Sequence, residues 1–156
     1  PHTLTSRNNL AYAYQAAGRL GEAIPLYEKV LADQVQVLAP DHPHTLTSRG
    51  NLAHAYQAAG RLDEAIPLHE QVLADSARVL GADHPHTLTS RNNLAHAYQA
   101  AGHHHEAINL FKDTLEVCEE ALSPDHPLTI QVRRNLKALE REMSLAPASS
   151  PESSEE

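Results

Sequence analysis

The stretch Asp41-His42-Pro43-His44-Thr45-Leu46-Thr47-Ser48-Arg49-Gly50-Asn51-Leu52-Ala53-His54-Ala55-Tyr56-Gln57-Ala58-Ala59-Gly60 decides the fold. A polar residue followed by proline is the order of a helix start, because the first turn leaves its N–H groups without intrahelical partners and a missing donor costs nothing there. Leu46, Leu52, Ala53, Tyr56 and Ala59 then recur at three- and four-residue steps. Such spacing lays one apolar stripe along a helix of about 24 Å. Gly60 is placed to end it, since glycine enters the left-handed conformation after a helix without steric cost.

A second helix is predicted after a short turn, with Leu62, Ala65, Ile66, His69, Val72, Leu73 and Leu80 on or beside one stripe. Pro25 and Pro67 fall inside this helix in the first two copies, where each removes a backbone donor, and a slight bend is expected there. The third copy has Asn109 instead. The unit is therefore a pair of antiparallel helices.

That unit recurs. Pro1, Pro43, Pro85 and Pro127 open four copies at a 42-residue period; the first two copies agree at 32 of 42 positions and the second and third at 25. Gly18 and Gly102 occupy the slot of Gly60. Stacked copies touch only their neighbours and leave long surfaces free, so holding a partner is the expected task and chemistry is not.

The composition agrees. With no Trp, one Phe and five Tyr among 156 residues, the core must be built from Leu, Ala, Val, Ile and Tyr, which suits close-packed helices. A net charge of -8, three of it from Glu152, Glu155 and Glu156, argues against a nucleic-acid partner. Cys118 is the single cysteine, and no run of about 18 apolar residues is present to suggest a membrane span, so a cytoplasmic location is expected.

The string Asn51-Leu52-Ala53-His54-Ala55-Tyr56, followed by Gly60 and by Glu64-Ala65-Ile66, resembles the tetratricopeptide repeat. The 42-residue period and the His-Pro opening of the later copies resemble the long variant found in kinesin light chains and in many bacterial signalling proteins. The resemblance implies an all-α, right-handed superhelical solenoid of helical hairpins. It also implies that the first helix of each hairpin lines a concave groove for an extended peptide or a partner helix, with the asparagines of Asn8-Asn9-Leu10-Ala11 and Asn92-Asn93-Leu94-Ala95 holding the peptide backbone. The middle copy departs from that string with Gly50 before Asn51.

With Leu, Ala and Tyr assigned to the core, the groove-facing positions are Thr5, Asn8, Tyr12 and Gln15, then Thr47, Gly50, His54 and Gln57, then Thr89, Asn92, His96 and Gln99. The expected peptide-binding residues are thus Asn8, Asn9, Tyr12, Gln15, Asn51, His54, Gln57, Asn92, Asn93, His96 and Gln99. Amides both donate and accept, which suits an extended backbone. Protonation of His54 and His96 below about pH 6.5 is expected to favour acidic ligands. Arg7, Arg49, Arg91 and Arg133 recur once per copy and are expected to form a ladder of ion pairs with the chain's own acids.

Twelve histidines raise the question of a metal. His42, His84 and His126 precede the prolines and His2, His44 and His86 follow them, as copies of one structural choice spread along an axis, whereas a metal needs three or four converging ligands. His103-His104-His105 replaces Arg61-Leu62-Asp63, and consecutive helical residues diverge by about 100°. Neither a metal nor another cofactor is expected, with adventitious binding at this triplet the minor alternative. No phosphate loop, nucleophile elbow or paired-carboxylate motif appears, and Cys118 stands among Glu116, Glu119 and Glu120, which disfavour a thiolate, so the chain does not read as an enzyme.

The expected organisation is three repeats at 1–42, 43–84 and 85–126, a capping helix at 127–145 and a disordered acidic Ser/Pro tail at 146–156. In the fourth copy Lys137, Glu140 and Ser144 stand where Ala53, Tyr56 and Gly60 stand in the second, putting charge where another hairpin would pack. The first repeat has no such cap, and self-association through it is a further expectation.

Overall fold

The computed structural model describes residues 2–146, without the side chain of His2. The expected tail beyond Ala146 lies outside the described residues. Seven helices and no strand occur among those described: α1 (His2–Ala16), α2 (Leu20–Val37), α3 (Pro43–Ala58), α4 (Leu62–Leu80), α5 (Pro85–Ala100), α6 (His104–Ala121) and α7 (Pro127–Leu145). They form three antiparallel hairpins and a last single helix, an all-α repeat solenoid, with each helix packed on the one before it.

The helix ends follow from local chemistry. Pro43, Pro85 and Pro127 take the first helical turn, and the residue before each, His42, His84 and His126, is the N-cap. Each cap works through its imidazole: Nδ1 accepts the backbone N–H two residues on, from His44 at 3.2 Å, His86 at 3.0 Å and Leu128 at 3.1 Å. At the other end of α3, Gly60 adopts φ +74° while Arg61 N–H bonds the Tyr56 carbonyl and Gly60 N–H that of Gln57, so two otherwise orphaned carbonyls are satisfied. α2 and α4 run unbroken through Pro25 and Pro67.

The core falls into two clusters, each of which spans a repeat boundary. One cluster gathers Ile24, Tyr27, Leu52, Tyr56 and small alanines, and another gathers Leu88, Phe111, Cys118, Val132, Leu136 and Leu139. Alanines at Ala23, Ala55, Ala65, Ala95 and Ala107 are fully buried, which lets the helices approach closely. Position 27 of each copy is the filler between the two helices of its hairpin. Tyr27 and Phe111 fill it in the first and third copies and His69 in the second, all three buried.

Polar side chains stitch one copy to the next. Tyr56 donates its hydroxyl to Glu28 at 2.6 Å and Tyr98 to Glu70 at 2.8 Å, and burial together with the adjacent carboxylate pushes each phenol up to about 12. The arginine ladder forms largely as expected: Arg7 pairs with Asp33 at 2.9 Å, Arg49 with Asp75 at 2.8 Å and Arg133 with Glu119 at 2.9 Å. The position of Asp33 and Asp75 is Val117 in the third copy, and Arg91 makes no ion pair among the described residues. In α7, Val132, Leu136 and Leu139 are buried against the third hairpin while Lys137 and Glu140 are exposed, Glu140 pairing at the rim with Lys112 of α6 at 3.7 Å.

Candidate functional site: the inner face of α1, α3 and α5

α3 touches α5 and α5 touches α7 across the intervening helices, whereas no comparable contact links α2, α4 and α6. The first helices of the hairpins therefore crowd toward the inside of the curve and carry the inner surface. Their polar positions are the ones the sequence marks as candidates for meeting a ligand.

The structure separates these positions into three groups. Some are held by the chain itself. Gln15 accepts the Tyr27 hydroxyl at 3.0 Å, and Gln99 donates to Glu142 at 3.3 Å. Asn92 is only 2% exposed and accepts from Asn135 Nδ2 at 3.0 Å, while the same nitrogen lies 2.9 Å from His96 Nε2. The expectation that Asn92 offers its amide to a ligand is corrected here, because the capping helix occupies it. Asn135 is the fourth-copy equivalent of Asn9, Asn51 and Asn93, so this asparagine column reaches back toward the preceding copy.

Others are open. Tyr12 is 67% exposed, Asn9 is exposed, and Asn51 and Asn93 are half-buried. The residue equivalent to Asn92 for Asn93 to meet is Gly50, which carries no amide. A third group is buried at its polar tip without a partner among the described residues: Asn8 Oδ1 and Gln57 Oε1 on this face, and His69 Nε2 beneath it.

The histidines pack edge to face on the filler position of their own hairpin, His54 on His69 with ring centres 5.1 Å apart and His96 on Phe111 at 5.3 Å. Burial lowers the pKa of both His54 and His96, and for His54 the neighbouring His96 adds to it. They gain charge at lower pH than an exposed imidazole, so the expected onset of acidic-ligand preference near pH 6.5 moves down. His103 stacks on Tyr98 at 6.2 Å in the place where Arg61 lies over Tyr56 at 4.5 Å, and His104 is half-buried in the slot of Leu62. The triplet thus diverges, as helical geometry requires. Cys118 is buried and its thiol is pushed up mainly by burial, which keeps it protonated.

Between α1 and α3 the inner surface opens into a cleft of about 440 Å³ floored by the end of α2. Leu4 and Asn8 form one wall, Thr47 and Ser48 the other, and Gln34 and Leu38 the floor. Gln34 was not among the expected binding residues. A signal for it existed in the alignment of the copies, where Gln34 stands in register with Ser76 and Cys118 and is thus the odd polar amide in a buried column.

A family model described as tetratricopeptide repeat matches residues 2–76, 47–120 and 92–148. The chain belongs to the tetratricopeptide repeat family. Crystal structures of the nearly identical TPR-like repeats of a Podosopora anserina protein described as a kinesin light chain, and of a single-substitution variant, are each 37% identical to it with a TM-score of 0.81. They cover 91% and 92% of this chain, which in turn spans 67% and 68% of theirs. BtubC (BKLC) from P. vanneervenii is 26% identical over 86% of this chain and 53% of its own, with a TM-score of 0.73. The Sgt2 TPR domain from Aspergillus fumigatus, at 18% identity and a TM-score of 0.63 over all of this chain and 89% of its own, shares the fold. No curated protein matches the sequence at a significant level. Tetratricopeptide repeats are in general protein–protein interaction modules and a non-enzymatic scaffold class. Among the described residues no helix is long and apolar enough to cross a membrane.

Proposed function

We propose that this tetratricopeptide array binds an extended peptide segment or a partner helix along the inner face of α1, α3 and α5, in a cytoplasmic setting where the unpaired Cys118 stays reduced. The observation that carries the reading is the pair of amide oxygens on that face, Asn8 Oδ1 and Gln57 Oε1, buried without any partner among the described residues. A polar atom left unpaired in this way costs about 1–3 kcal/mol, which a ligand's N–H group recovers on binding. Open Tyr12 and half-buried Asn51 and His54 flank these oxygens and supply contact area of mixed polarity.

The test starts from peptides selected on the whole 156-residue chain from a displayed random library. Replacing Asn51 and His54 together by alanine is expected to weaken a selected peptide by about 1–3 kcal/mol while leaving the melt nearly unchanged, because the lost contacts are to the ligand. Replacing the exposed Gln71 of α4 is expected to change neither. Asn92 is unsuitable for this purpose, since its loss also frees Asn135. Equal binding by the Asn51, His54 double variant, with chemical-shift changes on α2, α4 and α6 instead, excludes the inner face.

A second reading is favoured by one contrast. Leu10 is 47% exposed whereas its equivalents Leu52 and Leu94 are each 4% exposed beneath the helix that precedes them. The face of α1 that carries Leu10 supports self-association. Sedimentation at rising concentration is expected to show dimers that Leu10→Glu abolishes, and a strict monomer at hundreds of micromolar removes this reading.

A further inference from the structure

The inner face is not uniform along its length, and the differences locate where a ligand is gripped. At the third hairpin the capping helix already fills the amide of Asn92 through Asn135. At the second junction the corresponding pair is Gly50 and Ser76, so no side-chain amide is present there. Among the described residues the first junction alone combines two amides whose oxygens are buried without a partner, Asn8 and Gln34, and both line the cleft between α1 and α3. Gln34 is 8% exposed, and its Oε1 has no partner among the described residues.

We propose that this cleft is the anchor of the groove and takes one uncharged, apolar side chain of the bound segment together with the peptide groups on either side of it. The proposal rests on the groove reading above. Its chemistry follows from the lining. Leu4, Val37 and Leu38 supply apolar wall, and no Asp, Glu, Lys or Arg lines the cleft, so a buried ammonium meets no counter-charge there and a carboxylate meets only the imidazole of His44. The volume of about 440 Å³ suits one large side chain with its backbone. Asn8 and Gln34 each carry an N–H₂ and an oxygen, and rotation about the last side-chain bond is a soft, two-fold torsion that turns the oxygen into the cleft. A peptide group offers both an N–H and a C=O, so it complements either orientation of each amide. A carboxylate or an ammonium group offers only one of the two.

The probe is N-acetyl-leucine N-methylamide, titrated into the ¹⁵N-labelled whole chain, with the N-acetyl-lysine and N-acetyl-glutamate N-methylamides as comparisons. Saturable shift changes in the millimolar range are expected at the backbone amides of Leu38, Thr47 and Ser48, with the lysine and glutamate probes at least about fivefold weaker. Gln34→Ser installs the residue that the second copy already tolerates at Ser76, so the melt is expected to hold while the leucine probe weakens roughly fivefold to tenfold. Asn8→Ala is expected to act in the same direction. Equal affinity for both variants, equal binding of the charged probes, or no saturable shift at all overturns the anchor. Shifts confined to His54, Gln57 and Gln99 overturn the anchor and leave the groove standing, whereas shifts confined to α4 and α6 overturn both.

Discussion

Tyr56→Ala lowers the unfolding free energy by about 3–5 kcal/mol, the range for truncating a large buried aromatic. Three separate losses converge at this position. The ring leaves a void in the cluster it shares with Ile24, Leu52 and Ala65, the Arg61 guanidinium 4.5 Å from the ring centre loses its platform, and Glu28 loses the hydroxyl at 2.6 Å that ties the first copy to the second. Tyr56→Phe removes only the last of these and is expected to cost about 1–2 kcal/mol, since the acceptor is charged and partly solvated. Urea denaturation of the two variants and the parent separates packing from stitching. Because stacked repeats are coupled only through their interfaces, a weakened first junction also broadens the transition toward independent unfolding of the terminal hairpins. An unchanged melt for Tyr56→Ala would mean that the helical register is wrong.

The parts of this structure that one copy determines were legible in the sequence. Within a single hairpin the apolar spacing, Pro43 and Gly60 place α3 to within a residue, and the glycine at φ +74° does what its position implied. The cap was legible only in outline: a polar residue before proline marked the start, but that the imidazole of His42 accepts the His44 N–H shows only in the structure. What needs two copies at once was hidden. Tyr56 fits a core position in either case, yet its hydroxyl crosses to Glu28 in the preceding copy, and Asn92 reads as one more groove amide until Asn135 arrives from 43 residues away. Periodicity treats equivalent positions alike, and the site depends on where they stop being alike. Gln34, Gly50 and His69 are each departures from their columns, and each marks a place where the inner surface changes character.

The departure at His69 carries the second large effect, a loss of stability in acid. It is 2% exposed, Nε2 has no partner among the described residues, and its edge-to-face neighbour is another histidine, His54 on α3, whose own pKa the nearby His96 of α5 helps to lower. Burial first, and the nearby His54 second, lower its pKa from the usual 6.5 to about 4. Between those two values the unfolded chain binds a proton that the folded chain refuses. Stability is therefore complete above about pH 6.5 and falls as pH drops toward 4, by about 3 kcal/mol in all. The lowered values at His54 and His96 act with the same sign. Exposed carboxylates such as Glu64, whose ion pair with Arg61 lowers its pKa, also weaken the fold in acid, so the parent's pH dependence alone does not isolate the histidine. His69→Phe does isolate it, because the third copy shows that the same slot holds Phe111 fully buried. Melts at about pH 7.5 and about pH 4.5 are expected to show the parent losing roughly 2–3 kcal/mol more than His69→Phe over that interval. Parallel decline of the two proteins would show that His69 takes up its proton as readily in the folded chain as in the unfolded one and that the acid sensitivity of the array lies in its ion pairs.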